Sequence, residues 1–146
     1  MFQLHDRLKA DTLLVGEFPL SLLLLSKDAN YPWTILVPRC ADIEEIYQLS
    51  GGDRHQLLHE SCLLAEAMHT LYSPDKLNIA TIGNKVPQLH MHHVARTTTD
   101  AAWPGPVWGA VPAISYSDNQ LKAVVSTLQT HLGSDLSATC DYVNPA

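Results

Sequence analysis

The apolar residues of this chain change their spacing twice, and that double change limits the folds open to it. Between residues 11 and 39 the runs "DTLLVGEFPLSLLLLSKD" and "WTILVPR" are short and apolar, punctuated by Gly16, Pro19 and the turn "ANYP". They predict three strands, the last two joined as an antiparallel hairpin. From Asp42 to Tyr72 the period becomes helical. Ile43, Ile46, Tyr47 and Leu49 share one face, Gly51 and Gly52 interrupt it, and Leu57, Leu58, Cys62, Leu63, Ala65, Ala67 and Met68 continue a longer amphipathic helix that stops at Ser73 and Pro74. "LNIATIG" and "QLHMHHVAR" then return to strand character, joined by "NKVP". A short helix over "LHDRLKAD" precedes all of this. A late one over "SDNQLKAVVSTLQTHLG" follows, capped by Ser117 or Asp118 and stopped at Gly133. Strands in succession with a helix inserted between the third and fourth predict an α+β domain. The expected form is a five-stranded antiparallel sheet with one long helix packed on it and a C-terminal helix.

Composition removes several classes of function. At 146 residues the chain has the size of one domain, with 46% hydrophobic and 16% charged residues. A net charge of -6 argues against a nucleic-acid partner, which needs a basic face to displace phosphate counterions. One locally positive pocket for a phosphorylated small molecule remains compatible with it. The longest apolar run, in "EFPLSLLLLSKD", falls far short of the roughly 20 residues a membrane helix needs. The first residues carry His5, Asp6 and Arg7 and no apolar run with a cleavage site, so a signal peptide is not expected. Cys40, Cys62 and Cys140 share no short spacing, so reduced thiols in a cytoplasmic protein are expected.

The chemistry concentrates in "VPQLHMHHVAR", residues 86–96, where three of eight histidines fall within four positions. In a strand, Gln88, His90 and His92 point to one face, and Leu89, Met91 and His93 to the other. A lone strand histidine is ordinarily a surface or hydrogen-bonded residue, which is the reading for His5, His55, His59, His69, His93 and His131. A His-x-His pair is harder to dismiss. Such a pair can supply two zinc ligands, with a third from His55, His59 or Cys40 brought in by folding. It can also attack phosphorus, because a neutral imidazole is a good nucleophile near neutral pH and its neighbour can donate to the phosphate oxygens.

With its flanks the segment resembles the histidine triad family of nucleotide hydrolases and transferases, whose motif is His-φ-His-φ-His-φ-φ, φ being apolar. Val86-Pro87 precedes and Ala95-Arg96 follows, in the same register as in the family. Gln88 then stands in the first slot, His90 in the middle and His92 in the third, while His93 is an added histidine in an apolar slot. "WTILVPR" looks like the family's strand before a Pro-(Lys/Arg)-His segment, with Cys40 in the histidine's place. "LNIATIGNKVP" is similar to its Asn-containing strand and Gly-Gln-(Ser/Thr)-Val turn, with Asn84 and Lys85 as substitutions. The likeness spans about residues 10–110 of a single domain over 1–146, leaving 111–146 as an extension.

The resemblance implies that His90 is the nucleophile toward the α-phosphate, forming a nucleotidyl-histidine, and that His92 donates to phosphate oxygens. Gln88 would support that site, and Asn78, Gly83, Asn84 and Lys85 would line the nucleotide or phosphate pocket. Expected substrates are nucleoside phosphoramidates or dinucleoside polyphosphates, cleaved by a homodimer without a metal or other cofactor. The rivals are a nucleotide-binding sensor without turnover and a zinc-binding protein. His93 is expected to be structural. The segment "AWPGPVWG" is expected either to form a dimer contact or to cover the domain's own core.

Overall fold

The computed structural model describes residues 1–137, so Cys140 lies outside the described residues. Five strands form one antiparallel sheet: β1 (Thr12–Glu17), β2 (Ser21–Ser26), β3 (Trp33–Pro38), β4 (Lys76–Ala80) and β5 (Met91–Arg96), in the order β1-β2-β3-β5-β4. Strand β5 therefore lies inside the sheet and β4 at its edge. A short helix α1 (Asp6–Asp11) precedes β1, the long helix α2 (Gly51–Tyr72) links β3 to β4, and α3 (Asp118–Leu132) follows. This is the α+β architecture the spacing predicts.

The leucine run shows why the sheet sits where it does. Leu22, Leu23, Leu24 and Leu25 of β2 are each at most 1% exposed, because both faces of the sheet are covered. Leu23 and Leu25 join Leu36, Ala95 and Val15 against Leu57, Leu64 and Met68 of α2 and Leu128 and Leu132 of α3. Leu22 and Leu24 face the other way, packing with Ile35 and Val37 against Leu4 and Leu8 of the N-terminal segment. Each such leucine contributes roughly 1.5–3 kcal/mol by burial, so the run anchors two cores at once. A third cluster, Tyr31, Val94 and Val107, continues the second face toward the far end of β5.

The helix α3 begins at Ser117, which accepts from the Gln120 amide in a reciprocal capping box, and ends at Gly133 with φ +48. Both signals match the sequence. The earlier helical period does not hold throughout. Residues 42–49 contain only a 3₁₀ turn over Ile46–Gln48, and Ile46 and Tyr47 are 37% and 75% exposed rather than on a buried face. Gly51 and Gly52 open α2 instead of interrupting it. The start is decided by Ser50, whose hydroxyl accepts from the Asp53 amide, with the Asp53 carboxylate in the positive first turn.

The predicted strand over 88–96 is also shorter, beginning at Met91. Pro87 has no N–H to give to a ladder, and the Leu89 amide donates to the Ile43 carbonyl outside the sheet. Strand β4 likewise stops at Ala80 rather than running on to Gly83. Residues 81–90 are thus an irregular passage that delivers His90 to the start of β5.

Candidate active site

Strand β5 is the spine of the site. Its alternation sends His92, Val94 and Arg96 to the face away from α2, and Met91, His93 and Ala95 toward it. His93 is fully buried there, its Nδ1–H donating to the Met91 carbonyl at 3.3 Å. Its Nε2 therefore accepts from the Ser61 hydroxyl of α2 at 2.7 Å. Burial pushes the His93 pKa down from 6.5 to about 4.

His90 and His92 lie on the other face, with ring centroids 4.8 Å apart and planes at 72°. They line one cavity of about 700 Å³ together with Trp33, Trp108, Asn84 and Lys85. His90 lies before β5, yet its ring is fixed by its own loop: Nδ1 meets the Gln88 carbonyl at 2.7 Å. A carbonyl only accepts, so His90 carries its proton on Nδ1 and its Nε2 keeps a free lone pair. His92 is held the opposite way. The Trp33 indole Nε1–H donates to His92 Nδ1 at 2.9 Å, so the neutral His92 ring carries its proton on Nε2. Burial holds both imidazoles below their ordinary value, and the His90 and His93 rings add to the effect at His92, which falls to about 3. Two neutral rings side by side, one offering a lone pair and one an N–H, form a nucleophile and donor pair.

The wall of the cavity opposite the sheet is the segment after β5, and a buried ion pair holds it. Arg96 is 1% exposed, with Nε and Nη2 donating to the Asp100 carboxylate at 2.7 and 3.1 Å. Its remaining donors reach Asn78 Oδ1 at 2.7 Å and the Gly105 carbonyl at 2.8 Å. Asp100 also accepts from the amides of Thr97, Ala102 and Trp103. The Arg96 bonds, first among several, hold its carboxyl at about 2, well below the usual carboxylate range. The wall returns to the sheet where the Ala29 amide donates to the Ile114 carbonyl at 2.7 Å. Between these anchors Trp108 stands edge-on to Trp33 and His92, at 5.9 and 5.2 Å.

The structure brings His90, His92, Asn84 and Lys85 together around this cavity. Gly83 lines an adjoining recess of about 320 Å³ that shares Asn84 and His90 and includes Gln88. Asn78 stands apart from both, its oxygen engaged by Arg96. Gln88 meets His90 through its main-chain carbonyl. Its side-chain amide instead holds the N-terminal segment, Nε2 donating to the Gln3 carbonyl at 2.8 Å and Oε1 accepting from the His5 amide at 2.9 Å. Trp33, Trp108, Arg96 and Asp100 were not among the predicted site residues. The parity of β5 was the signal for Arg96, which shares a face with His92. Among the described residues, no group of three or more His, Cys, Asp or Glu side chains is arranged to hold a metal ion. His55 and His59 are exposed on α2. "AWPGPVWG" covers its own domain to the extent that Val107 and Trp108 pack onto Tyr31, Val94 and Trp33. No helix among the described residues is long and apolar enough to cross a membrane.

A family model described as the HIT domain matches residues 7–99. Among solved structures, a histidine triad protein from Marinobacter aquaeolei VT8 is 49% identical, with a TM-score of 0.90 over 94% of this chain and 99% of that one. A histidine triad protein from Bradyrhizobium japonicum is 45% identical, with a TM-score of 0.87 over 89% of this chain and 97% of its own. One from Sinorhizobium meliloti 1021 is 36% identical, with a TM-score of 0.88 over 90% and 98%. Comparison with curated proteins gives no match. The chain belongs to the histidine triad family, and the fold expected from the resemblance is the one observed.

Proposed function

We propose that the protein is a nucleotide hydrolase or nucleotidyl transferase acting on nucleoside phosphoramidates or dinucleoside polyphosphates. Membership of the histidine triad family, generally one of nucleotide hydrolases and transferases, supports nucleotide chemistry. The observation that carries the reading is the opposed tautomers of His90 and His92 on one cavity wall. His90 Nε2 attacks the α-phosphorus with its lone pair, forming an N–P bond as the bond to the leaving group breaks and its electrons depart with that group. Water, or an acceptor alcohol in transfer, then takes the nucleotidyl group, the electron pair of the N–P bond returns to Nε2, and the proton that the attacking oxygen gives up to solvent balances the one the leaving group takes from it. His92 Nε2–H donates to a non-bridging oxygen, where charge gathers. Lys85, Asn84 and Gly83 supply a cationic, open turn for the phosphates, and Gln88 supports His90 through its carbonyl.

The same reading takes the working species as a homodimer in the cytoplasm, needing no metal or other cofactor. Support for a partner copy is the exposed Ile79 on the edge strand β4, 46% accessible, and Leu58 on α2, 63% accessible. The deciding experiment is a panel of nucleotide conjugates assayed for mononucleotide release, with mass spectrometry of acid-avoided quenches to locate a nucleotidyl adduct. The expected result is release from at least one phosphoramidate or dinucleotide, with the adduct on His90. Binding of nucleotides without release from any of them refutes turnover.

A further inference from the structure

Trp33 begins β3, directly across from Val94 and two register steps from the Ile35–His92 pair, so its indole lies on the cavity face beside His92. An indole nitrogen has one proton and no acceptor capacity. That proton is committed to His92 Nδ1 at 2.9 Å. The ring is held on two further sides, edge-on to Trp108 at 5.9 Å and to Tyr31 at 6.3 Å. His92 in turn is flanked by Trp33, Trp108 and His90 at centroid distances of 5.6, 5.2 and 4.8 Å. An imidazole wedged among three rings cannot turn over readily, and with Nδ1 occupied by a donor it cannot hold a proton there.

We propose that Trp33 is a positioning residue for the nucleotidyl-transfer reaction: it fixes His92 in the tautomer whose Nε2–H points into the cavity, and so makes His92 a committed donor. The proposal rests on the function proposed above but is separable from it. Without the indole N–H, His92 Nδ1 would be free to take the proton, leaving a lone pair on Nε2 directed at the phosphate oxygens. The donor would then become a repulsive acceptor for part of the population. Trp33 makes its contact 59 residues away in sequence from the motif it completes.

Three measurements test this. In the unaltered protein, nitrogen-15 NMR of the histidine rings is expected to show His92 protonated on Nε2 and His90 on Nδ1, whatever the substrate proves to be. A His92 proton on Nδ1 overturns the proposal even if Trp33 variants do not fold. Trp33→Phe keeps most of the ring packing and removes only the N–H. It is expected to lower kcat roughly ten- to hundredfold with KM changed far less, and to move the His92 proton partly to Nδ1. Unchanged kcat, or an unchanged His92 tautomer, overturns it. In the His92→Ala background, Trp33→Phe is expected to add no further loss, since the residue it orients is gone. A full additional loss there would mean that Trp33 acts by packing alone. Absence of turnover on every nucleotide conjugate defeats the proposed function, and the positioning role in that reaction with it, while the tautomer assignment stands or falls on the spectra.

Discussion

Acidification should unfold this protein through histidines that refuse protons, and His93 offers the cleanest measure. Its ordinary pKa of 6.5 falls to about 4 in the folded chain, and that of His92 to about 3, in each case chiefly because burial penalises the charged ring. Above 6.5 neither state binds the proton, so no penalty exists. As the pH falls below 6.5 the unfolded chain takes protons that the folded chain cannot, and stability drops by about 1.4 kcal/mol per pH unit for each histidine. At about pH 5 His93 and His92 each withhold nearly a full proton, which costs about 2 kcal/mol apiece and about 4 together. His90 shifts in the same direction and adds to the sum. Against a usual total of roughly 5–15 kcal/mol, this is a large fraction.

Asp100 does not confuse the window, because its contribution is present above 3.8 and is lost only as the pH falls from there toward about 2. The assay is urea unfolding at several pH values between about 7 and about 5, extrapolated to water. His93→Leu loses the Ser61 hydrogen bond, so its stability at neutral pH will change. Its pH slope is the diagnostic quantity and should fall by one proton's worth, about 1.4 kcal/mol per unit. A slope equal to that of the unaltered chain would refute the reasoning, since His93 would then titrate as freely folded as unfolded.

Replacing His90 by Ala should remove turnover by several powers of ten while nucleotide binding, followed by calorimetry, stays near that of the parent; comparable turnover would place the nucleophile elsewhere. Gln88→Ala should cost about 1 kcal/mol and speed hydrogen exchange at the His5 amide, because both bonds to the N-terminal segment are lost. Unchanged exchange there would show that the segment is held by Leu4 and Leu8 alone. Asp100→Ala leaves the Arg96 charge buried without its carboxylate and should cost roughly 3–5 kcal/mol in chemical denaturation. It should also weaken nucleotide affinity through the loosened Trp108 wall, and a stability loss below about 1 kcal/mol would contradict the holding role of the Arg96–Asp100 pair.

What could be read in the chain beforehand follows from how local each signal is. Strand and helix periods are written in neighbouring residues, so the sheet, α2 and the capped α3 were legible. The error over 42–49 arose because Ile43, Ile46, Tyr47 and Leu49 mimic a helical face, although only Leu49 among them is buried. The glycine pair opens a helix because the first N–H groups of a helix have no preceding carbonyl to donate to, so a cap such as Ser50, accepting from the Asp53 amide, outweighs the poor propensity behind it. Alternation placed His90 with His92 and His93 against them, and the rings lie so, although His90 precedes the strand. It did not govern the Gln88 side chain, since an irregular passage has no period to obey. Trp33 and Trp108 reach His92 only through the pairing of β3 with β5 and the return of the wall, facts no local spacing contains.

Strand β5 writes two messages on one line of text, and a shift in reading position would garble both. From Met91 to Arg96, one letter in two addresses the face that bears the cavity and the other addresses α2. A single codon gained upstream within residues 89–91, followed by re-pairing of the strand, would exchange these audiences. His93 would be offered to the cavity without Trp33 to orient it, His92 would be turned toward Ser61, and Arg96 would be driven into the leucines beneath α2, away from Asp100. Short insertions and deletions within β5 should therefore be as damaging as loss of the histidines themselves.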